Sequence, residues 1–341
     1  METTTPRAAG PIGADEAEFI AAARALDDGR FALLTERFRR ELLLHCYRML
    51  ASYDDAQDLT QETFLRAWAK RESFQGRASL RTWLYRIATN ACLDFLEKRC
   101  DRQPIPTDLQ GAGGTGTEVT YLQPWPDSQP EDPHAQVVAR ETIELAFIVA
   151  VQHLPARQRA VLILRDVLGW PAQQTADTLE LTLASANSAL QRARVTMRQQ
   201  LPDGRLDWAA QAGHGLNDDE RRLVSAYVDS VERLDIDGLT TLLHEDLRFA
   251  MPPQPGVWAG RDEIVQGWID SGFGQGDLND LKCRITTANG QPAVAAYSRR
   301  PGTGSYEAMA MDVLRVEDGL VTEIHTFGSE MFARFGLPKE L

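Results

Sequence analysis

The hydrophobic and polar positions in the first two thirds of the chain repeat mainly at the helical period. Residues 17–101 carry long apolar patterns with a period of 3.6 and few Gly or Pro, which predicts a helical domain. Residues 136–201 return to the same pattern. From about Asn217, two helical stretches precede alternating runs that predict β-strands, with Asp318-Gly319 as a hairpin turn.

Two stretches of different composition separate these patterned regions. Residues 103–135 are rich in Pro and Gly and contain five acidic residues and no Lys or Arg, so we expect a flexible acidic linker. Its apolar knot, YLQPWP, predicts that part of the linker docks on another surface. A second linker is expected at 204–216. The predicted domains are two all-α domains and one α+β domain, at 15–102, 136–203 and 217–337.

Composition indicates a globular protein of two or three domains. Of the 341 residues 43% are apolar and 25% charged, and no apolar run approaches the roughly 20 residues of a membrane span. The N-terminus lacks the order of a secretory signal, and the four cysteines show no CxxC pairing. We therefore expect a cytoplasmic protein with no membrane contact, no metal and no cofactor.

Charge is unevenly distributed along this acidic chain. The net charge of −13 argues at first against nucleic-acid binding, because phosphate contacts need Lys and Arg. Residues 77–102, however, hold six basic against three acidic residues, and residues 181–201 hold three arginines and no acid. These two basic patches are candidate DNA-binding surfaces.

The first basic patch contains a helix with two different faces. An apolar stripe from Leu80 to Phe95 predicts the side that packs on the core. The opposite side combines guanidinium, aromatic, hydroxyl and amide groups, which suit phosphates, unpaired bases and base edges. A helix with an aromatic rim and solvated arginines would show the same pattern. The candidate DNA-binding residues of this patch are Arg77, Ser79, Arg81, Trp83, Tyr85, Arg86, Thr89 and Asn90.

Just upstream, the stretch YDDAQDLTQETFLRAW has one acidic helical face. Asp55, Asp58 and Glu62 lie at i, i+3 and i+7, with Gln61 between them and Phe64 facing elsewhere. A solvated face is the common explanation for such spacing. A docking surface for a basic partner is the functional alternative.

Residues 154–201 carry the pattern of a helix-turn-helix. Gly169–Pro171 breaks the first helix, residues 173–178 are short enough for a support helix, and Thr182 is a candidate N-cap for the next one. That helix would turn polar and basic residues outward, as a recognition helix does in a major groove. A small helical bundle with no DNA role is the alternative. The outward residues are Ser185, Asn187, Ser188, Gln191, Arg192 and Arg194.

DDAQDLTQETFLRAW followed by FQGRASLRTWLYRIATNACLDFLEKR resembles region 2 of a bacterial group IV, or extracytoplasmic-function (ECF), sigma factor of RNA polymerase. The resemblance implies that the acidic helix binds the β′ clamp helices, through Asp55, Asp58, Gln61, Glu62 and Phe64. It implies that the following loop and helix open the −10 promoter element and hold its flipped base. The predicted partners are core RNA polymerase, through its β′ and β subunits, and promoter DNA.

The helix-turn-helix block, with its SALQRAR, is similar to sigma region 4, which implies that it reads the −35 element. Recognition helices of this family often present more Lys or Arg early in the helix, where this chain has Ser185, Asn187 and Ser188. Linkers between the two sigma regions thread toward the polymerase cleft. The acidic residues of the 103–135 segment would suit that basic channel.

Residues 217–335 resemble a SnoaL-like domain, which implies a curved sheet and helices around a conical pocket. Such a pocket performs acid/base chemistry in enzymatic relatives and elsewhere binds ligands or only packs. No acid/base pair stands out by spacing, so no catalytic residue is predicted. A small-molecule ligand is a candidate partner. The possible pocket residues are Tyr227, His244, Asp246, Trp258, Trp268, Asp312 and His325.

Together these resemblances imply a sigma factor and not an enzyme. A sigma factor that ends in this domain resembles the subgroups with a fused C-terminal SnoaL-like extension, which implies that the extension regulates the sigma factor in cis. A free-standing helix-turn-helix regulator with a ligand-binding domain would explain only one of the helical blocks. A SnoaL-like cyclase or isomerase would explain only the last third.

Overall fold

The computed structural model describes residues 14–25, 27–102, 119, 121–127, 143–201, 216–254, 256–299, 302 and 304–341. The chain divides into two compact units. One, the helical unit, comprises Met1–Ile105 and Leu154–Gln200, and the other, the sheet unit, comprises Pro106–His153 and Leu201–Leu341. The predicted combination of all-α and α+β folds is confirmed.

Within the described residues, the α-helices are α1 (Ala14–Ala25), α2 (Asp28–Glu36), α3 (Arg39–Leu50), α4 (Tyr53–Ala69), α5 (Leu80–Arg102), α6 (Leu145–Gln152), α7 (Ala156–Leu162), α8 (Ala172–Thr178), α9 (Leu183–Gln200), α10 (Asp218–Glu232), α11 (Ile236–Thr241) and α12 (Arg261–Asp270). The strands are β1 (Leu243–Ala250), β2 (Val257–Ala259), β3 (Leu281–Ala288), β4 (Gln291–Ser298), β5 (Glu307–Glu317) and β6 (Leu320–Gly328). Short 3₁₀ segments lie at Arg71–Ser73, Gly276–Leu278 and Ser329–Phe335, and a π-helical turn at Ile163–Val167 follows α7.

In the helical unit, α3, α4 and α5 pack together around a core of aliphatic, aromatic and thiol side chains. Polar side chains start these helices: Ser52 Oγ accepts the backbone N–H of Asp55 at the beginning of α4. Ser79 Oγ accepts the N–H of Thr82 at 3.1 Å at the beginning of α5. The fully buried core residues include Leu42, Cys46, Tyr47, Met49, Leu84, Ala88 and Cys92.

The helix-turn-helix pattern of the second block is confirmed. Thr182 Oγ1 accepts the N–H of Ser185 at 3.1 Å, as an N-cap does. Along α9 the four predicted inward residues are all buried: Ala186, Leu190, Ala193 and Met197. The sequence predicted that residues 136–203 form one domain, which would include α6. The contacts of α6 place it instead in the sheet unit.

The sheet unit is built on six strands in the order β2-β1-β6-β5-β4-β3. Strands β1 and β6 are parallel and the other neighbours antiparallel. Two-residue turns with positive φ join the hairpins, Asn289-Gly290 between β3 and β4 and the predicted Asp318-Gly319 between β5 and β6. Helices α10 and α12 pack on one face, around Val224, Tyr227, Ile264, Leu314 and Ile324.

Part of the predicted linker is tied to the β3–β4 hairpin of this unit. Trp125 donates its N–H to Asn289 Oδ1 at 2.7 Å, and its carbonyl accepts the N–H of Asn289 at 2.9 Å. Asn289 Nδ2 donates to the carbonyl of Ile143, and Gln291 Oε1 accepts the N–H of Leu145 at 2.9 Å. The docking predicted for the YLQPWP knot is thus confirmed, and one buried amide holds two points of the chain.

Candidate nucleic-acid interface

The N-terminal part of α5 carries the first candidate surface. Arg77, Ser79 and Arg86 are exposed there. Trp83 is half-buried because its ring packs against Phe74 at 5.1 Å between ring centroids. Asn90, two turns further along, is also half-buried. The arginines can reach phosphates, and Trp83 stays partly exposed.

The outward position predicted for two residues of α5 is wrong. Tyr85 is 1% exposed, and burial raises the pKa of its hydroxyl. Thr89 is fully buried, with its Oγ1 2.8 Å from His45 Nε2 and donating to the carbonyl of Tyr85 at 2.7 Å. The helical wheel misplaced them because it assumes one buried side, whereas α5 is covered on more than one.

A polar network that the sequence did not reveal supports this surface from α3. Arg81 Nε donates to Glu41 Oε2 at 2.8 Å, and its guanidinium lies 4.8 Å from the centroid of the Tyr85 ring. His45 is fully buried, and burial, aided by the charges of Arg48 and Arg81, lowers the pKa of its imidazole to about 3. His45 is therefore neutral at physiological pH.

A segment at the start of the helix-turn-helix contacts the same side of α5. We name residues 170–180 the support segment; it contains α8. Glu180 Oε1 lies 2.7 Å from Arg86 Nη2, and Gln174 Nε2 donates to Thr82 Oγ1 at 3.1 Å. The rings of Trp170 and Tyr85 are 5.4 Å apart with an interplanar angle of 61°. The residues in each contact are separated by between 85 and 94 positions in the sequence. Local periodicity therefore could not have predicted these contacts.

Buried Arg159 makes a further contact within the helical unit. It lies on α7, is 5% exposed, and donates from Nη1 to the carbonyl of Met49 and from Nη2 to the carbonyl of Leu154 at 3.2 Å. No local sequence signal marks this arginine. Its burial makes it a packing residue rather than a DNA contact.

The predicted polymerase-binding residues lie on α4. Asp58 and Gln61 are exposed, and Leu65, one turn further on, is 58% exposed. Glu62 is paired with Arg66 at 2.8 Å, which is an ordinary i, i+4 helix pair. The surface of α4 is thus polar and acidic with one apolar side chain at its edge.

Two other predicted residues of α4 are engaged within the chain. Asp55 Oδ2 lies 3.8 Å from Arg99 Nη1. Phe64 is covered by the guanidinium of Arg39, 4.8 Å from the ring centroid. Among the predicted set, Asp58 and Gln61 are therefore the most exposed to a partner.

The outer side of α9 carries the second candidate DNA surface. Ser185, Asn187, Ser188, Gln191 and Arg192 are all exposed there. Arg194 differs, because its Nε and Nη2 each donate at 2.8 Å to the carboxylate of Asp166. That hydrogen bonding raises the pKa of Arg194 and fixes its guanidinium against the preceding helical segment.

In the sheet unit, two of the predicted pocket residues are in direct contact. Tyr227 donates to Asp312 Oδ2 at 3.0 Å, and Thr326 donates to Asp312 Oδ1 at 2.6 Å. Burial raises the pKa of Asp312, and the two hydrogen bonds oppose that shift. Burial also raises the pKa of the neighbouring Cys283 thiol to about 12.

The two tryptophans among the predicted pocket residues pack on the same phenylalanine. Trp258 and Trp268 both pack on Phe249, at 5.8 and 5.7 Å between ring centroids. Phe249 pairs with Ile324, which shares the sheet face of Asp312.

The histidines do not join this group. His325 pairs with Val313, so its side chain lies on the opposite face from Asp312. His244 and Asp246 lie on β1, where Asp246 N–H donates to His244 Nδ1 at 3.1 Å and Asp246 is exposed. The structure therefore does not bring the seven residues into one pocket.

The described part of the chain contains no group of three or more His, Cys, Asp or Glu side chains that could hold a metal ion. Among its helices, none combines the length and apolar character that a membrane crossing requires.

Comparison with known proteins assigns all three parts of the chain. The family model Sigma-70 region 2 matches residues 34–100, Sigma-70, region 4 matches residues 144–197, and the SnoaL-like domain matches residues 224–324. The chain is 41% identical to the ECF RNA polymerase sigma factor SigG of Mycobacterium tuberculosis strain H37Rv, over 92% of this chain and 85% of that protein.

A second relative extends the likeness to a solved fold. SigJ of the same organism, also an ECF RNA polymerase sigma factor, is 29% identical over 84% of this chain and 88% of SigJ. The crystal structure of Mycobacterium tuberculosis SigJ superimposes with a TM-score of 0.60 and 24% identity, covering 89% of this chain and 98% of that one.

The helical unit and the sheet unit together thus define a sigma factor with a SnoaL-like C-terminal domain, as the sequence predicted. Within that class, the chain belongs to the ECF sigma factors of RNA polymerase. Sigma factors bind core RNA polymerase and promoter DNA, and this chain acts in transcription initiation.

Proposed function

We propose that this sigma factor is controlled in cis by its SnoaL-like domain, which acts through the docked linker and α6. The observation that carries the proposal is that the Asn289 side chain accepts the backbone N–H of Trp125 and donates to the carbonyl of Ile143. Asn289 is fully buried, so these bonds are protected from water. The C-terminal domain thereby holds the chain on both sides of residues 126–142.

The position of α6 gives this contact a route to promoter recognition. The Sigma-70, region 4 match begins at residue 144, yet α6 is bound at its first residue by Gln291 of the sheet unit. The chain continues from α6 into α7 after residues 153–155. A change in how the SnoaL-like domain holds α6 would therefore be transmitted along the chain to the helix-turn-helix that follows within region 4.

The same proposal assigns a role to each exposed surface of the helical unit. Helix α4 binds the β′ clamp helices, with Asp58, Gln61 and Leu65 as its exposed contacts, and the β subunit completes the core interface. The N-terminal part of α5 binds the −10 element and α9 the −35 element. Because the partners are polymerase and promoter DNA, we expect the protein to act in the cytoplasm.

For the SnoaL-like domain we propose a regulatory role without catalysis. Both carboxylate oxygens of Asp312 already accept hydrogen bonds from the chain, which favours a structural role over proton transfer. The half-buried cluster of Phe249, Trp258 and Trp268 is the candidate contact for a small apolar ligand. Titration of tryptophan fluorescence with candidate ligands, comparing the protein with Trp258→Phe, would test that contact.

Cis control is tested by substituting Asn289, which has a φ of +56°. Asn289→Gly keeps that backbone conformation available and removes the amide. We expect faster hydrogen exchange at the N–H of Trp125 and altered run-off transcription with core polymerase. Asn289→Asp, which keeps an acceptor for Trp125, should have the smaller effect. Faster exchange with unchanged transcription would contradict control through this contact.

The polymerase surface is tested separately by reversing one exposed charge. Asp58→Lys should weaken binding to core polymerase, because a like charge then faces the basic partner surface. Glu97→Lys, an exposed reversal on α5, is the matched control. Equal core affinity of both variants in a pull-down would contradict the assignment of α4.

A further inference from the structure

The first half of α9 presents an uncharged surface. From Leu181 to Gln191 the chain contains no Lys, Arg, Asp or Glu, and the first basic residue of the helix is Arg192. In the major groove, guanine is read most often by a bidentate arginine or lysine, and cytosine by an accepting carboxylate. The N-terminal residues of a recognition helix contact the base edges. Reading of bases by α9 is therefore left to neutral side chains.

One neutral side chain of this surface suits adenine. Asn187 lies one turn after the first residue of α9 and is exposed. Its amide combines a donor and an acceptor, which match the N7 acceptor and the N6 amino group of adenine in a bidentate pair. The neighbouring Ser185 and Ser188 discriminate weakly between bases, because a hydroxyl can donate or accept. The hydroxyl of Ser185 also accepts from Thr182 Oγ1 at 2.9 Å.

An exposed apolar side chain lies one turn before Asn187. Leu183 is 42% exposed, whereas Ala186 and Leu190 of the same helix are buried in the core. The spacing of i, i+4 places Leu183 and Asn187 on the same side of the helix. The C5 methyl group of thymine is an apolar group that the major groove offers to such a side chain.

We propose that α9 reads a −35 element in which Asn187 pairs with an adenine and Leu183 packs on the methyl group of a nearby thymine. The inference rests on the proposed role of α9 and adds the bases that this helix recognises. Arg192, the first cation along the helix, binds the phosphate backbone. Such a contact positions the helix on the duplex but carries no sequence information.

Gln191 carries an amide of the same kind and could form the same pair with adenine. It lies one turn beyond Asn187, next to Arg192, and is exposed. Recognition helices contact base edges through their N-terminal residues, so the earlier amide is the one assigned to the base. Gln191 thereby offers a matched comparison for Asn187.

Selection of promoters tests the assignment in the complete transcription complex. The full chain is combined with core polymerase, and the −35 element of a promoter that this complex transcribes is randomised. Bound duplexes are then sequenced. We expect adenine at one position to depend on Asn187: Asn187→Ala should reduce the preference for adenine over guanine there by about fivefold to 150-fold. Alanine favours the helix, so this variant keeps α9.

Two further variants sharpen the selection. Asn187→Arg should shift the same position toward guanine, because arginine pairs with its O6 and N7. Gln191→Ala should keep the preference for adenine at that position, whatever its effect on overall affinity. An element without an adenine that depends on Asn187, or loss of that adenine in Gln191→Ala instead, would overturn the proposal.

Base analogues in the selected duplex test each contact at the level of atoms. Replacing the adenine by 7-deazaadenine removes N7 and should weaken binding by about fivefold, the effect of one lost hydrogen bond, with no further loss in Asn187→Ala. Replacing the thymine by uracil removes the methyl group and should weaken binding by about twofold to fourfold, but not in Leu183→Ala. Equal losses in the unchanged protein and in the matching variant would contradict that contact.

The selection also separates this proposal from the proposed function. Absence of any enriched −35 sequence with the unchanged protein would show that α9 does not read this element, which overturns both. An enriched sequence that does not respond to Asn187, together with weaker binding of Arg192→Ala at all sequences, would overturn only the adenine assignment and leave α9 as the −35 helix.

Discussion

The two helices that we propose to bind DNA, α5 and α9, differ in how much of their polar surface is engaged by other residues of the chain. On α9, five of the six predicted residues are exposed, and Arg194 alone of that set is held by a bidentate ion pair. On α5, Tyr85 and Thr89 are buried and Arg81 and Arg86 are paired with carboxylates. The proposed duplex-binding residues of α9 are thus mostly free of contacts within the chain, whereas those of α5 are largely engaged by other elements of the helical unit.

The largest effect is expected from removing the contact of Arg159, which joins α7 to α3 within the helical unit. Arg159→Leu removes the guanidinium that donates to the buried carbonyls of Met49 and Leu154, which should destabilise the helical unit by about 3 kcal/mol. Arg157→Leu, exposed on the same helix, should change stability by less than about 0.5 kcal/mol. Urea unfolding followed by circular dichroism measures both, and equal losses would contradict the packing role of Arg159.

The next prediction concerns acid stability beneath α5. The pKa of His45 is lowered to about 3 in the fold from about 6.5 in the unfolded chain, so the unfolded state binds a proton first as the pH falls. Stability is therefore full above about pH 6.5 and decreases toward pH 3, by about 2 kcal/mol at pH 5.

Hydrogen exchange in α3 and α5 between pH 7 and pH 5 would follow this loss. His45→Gln should flatten the dependence in these two helices. Nuclear magnetic resonance should also report a neutral His45 imidazole at pH 5 in the folded protein. A protonated imidazole there would contradict the buried network.

Two of the three arginines on α9, Arg192 and Arg194, are predicted to have different roles. Arg192→Ala should weaken DNA binding at all sequences and reduce the salt slope by about one, as loss of a phosphate contact does. Arg194→Ala should instead lower the stability of the helix-turn-helix by about 1 kcal/mol, because Asp166 loses its partner. Salt titration of duplex binding and thermal unfolding separate the two effects. Identical behaviour of the variants would show that Arg194 also contacts DNA.

Local sequence signals predicted α9 better than α5 for a physical reason. Helix α9 buries one side, so its apolar residues at helical spacing mark that side correctly from Ala186 to Met197. Helix α5 meets α3 and α4, and the support segment covers part of the remaining surface, so a single apolar stripe underestimates its burial. The covering residues are about 90 positions away, where no periodicity reaches them.

The sequence predicted only part of the contact between the linker and the β3–β4 hairpin. Asn289-Gly290 is the preferred dipeptide of a two-residue hairpin turn, and that signal in the sequence would have predicted the β3–β4 hairpin. The YLQPWP knot indicated a docking segment. Neither signal names its partner, because pairing of Trp125 with Asn289 depends on tertiary contacts rather than on local propensity.

The most direct test of the account compares the two DNA surfaces in the free chain and in the complex with core polymerase. The probes are the non-template −10 strand and the −35 duplex of a promoter that the reconstituted complex transcribes. We predict that core polymerase strengthens binding of the −10 strand by far more than binding of the −35 duplex, because residues 170–180 contact the proposed −10 surface of α5 whereas the proposed −35 residues of α9 are mostly exposed. An equal gain for both probes, or strong binding of the −10 strand by the free chain, would contradict the account.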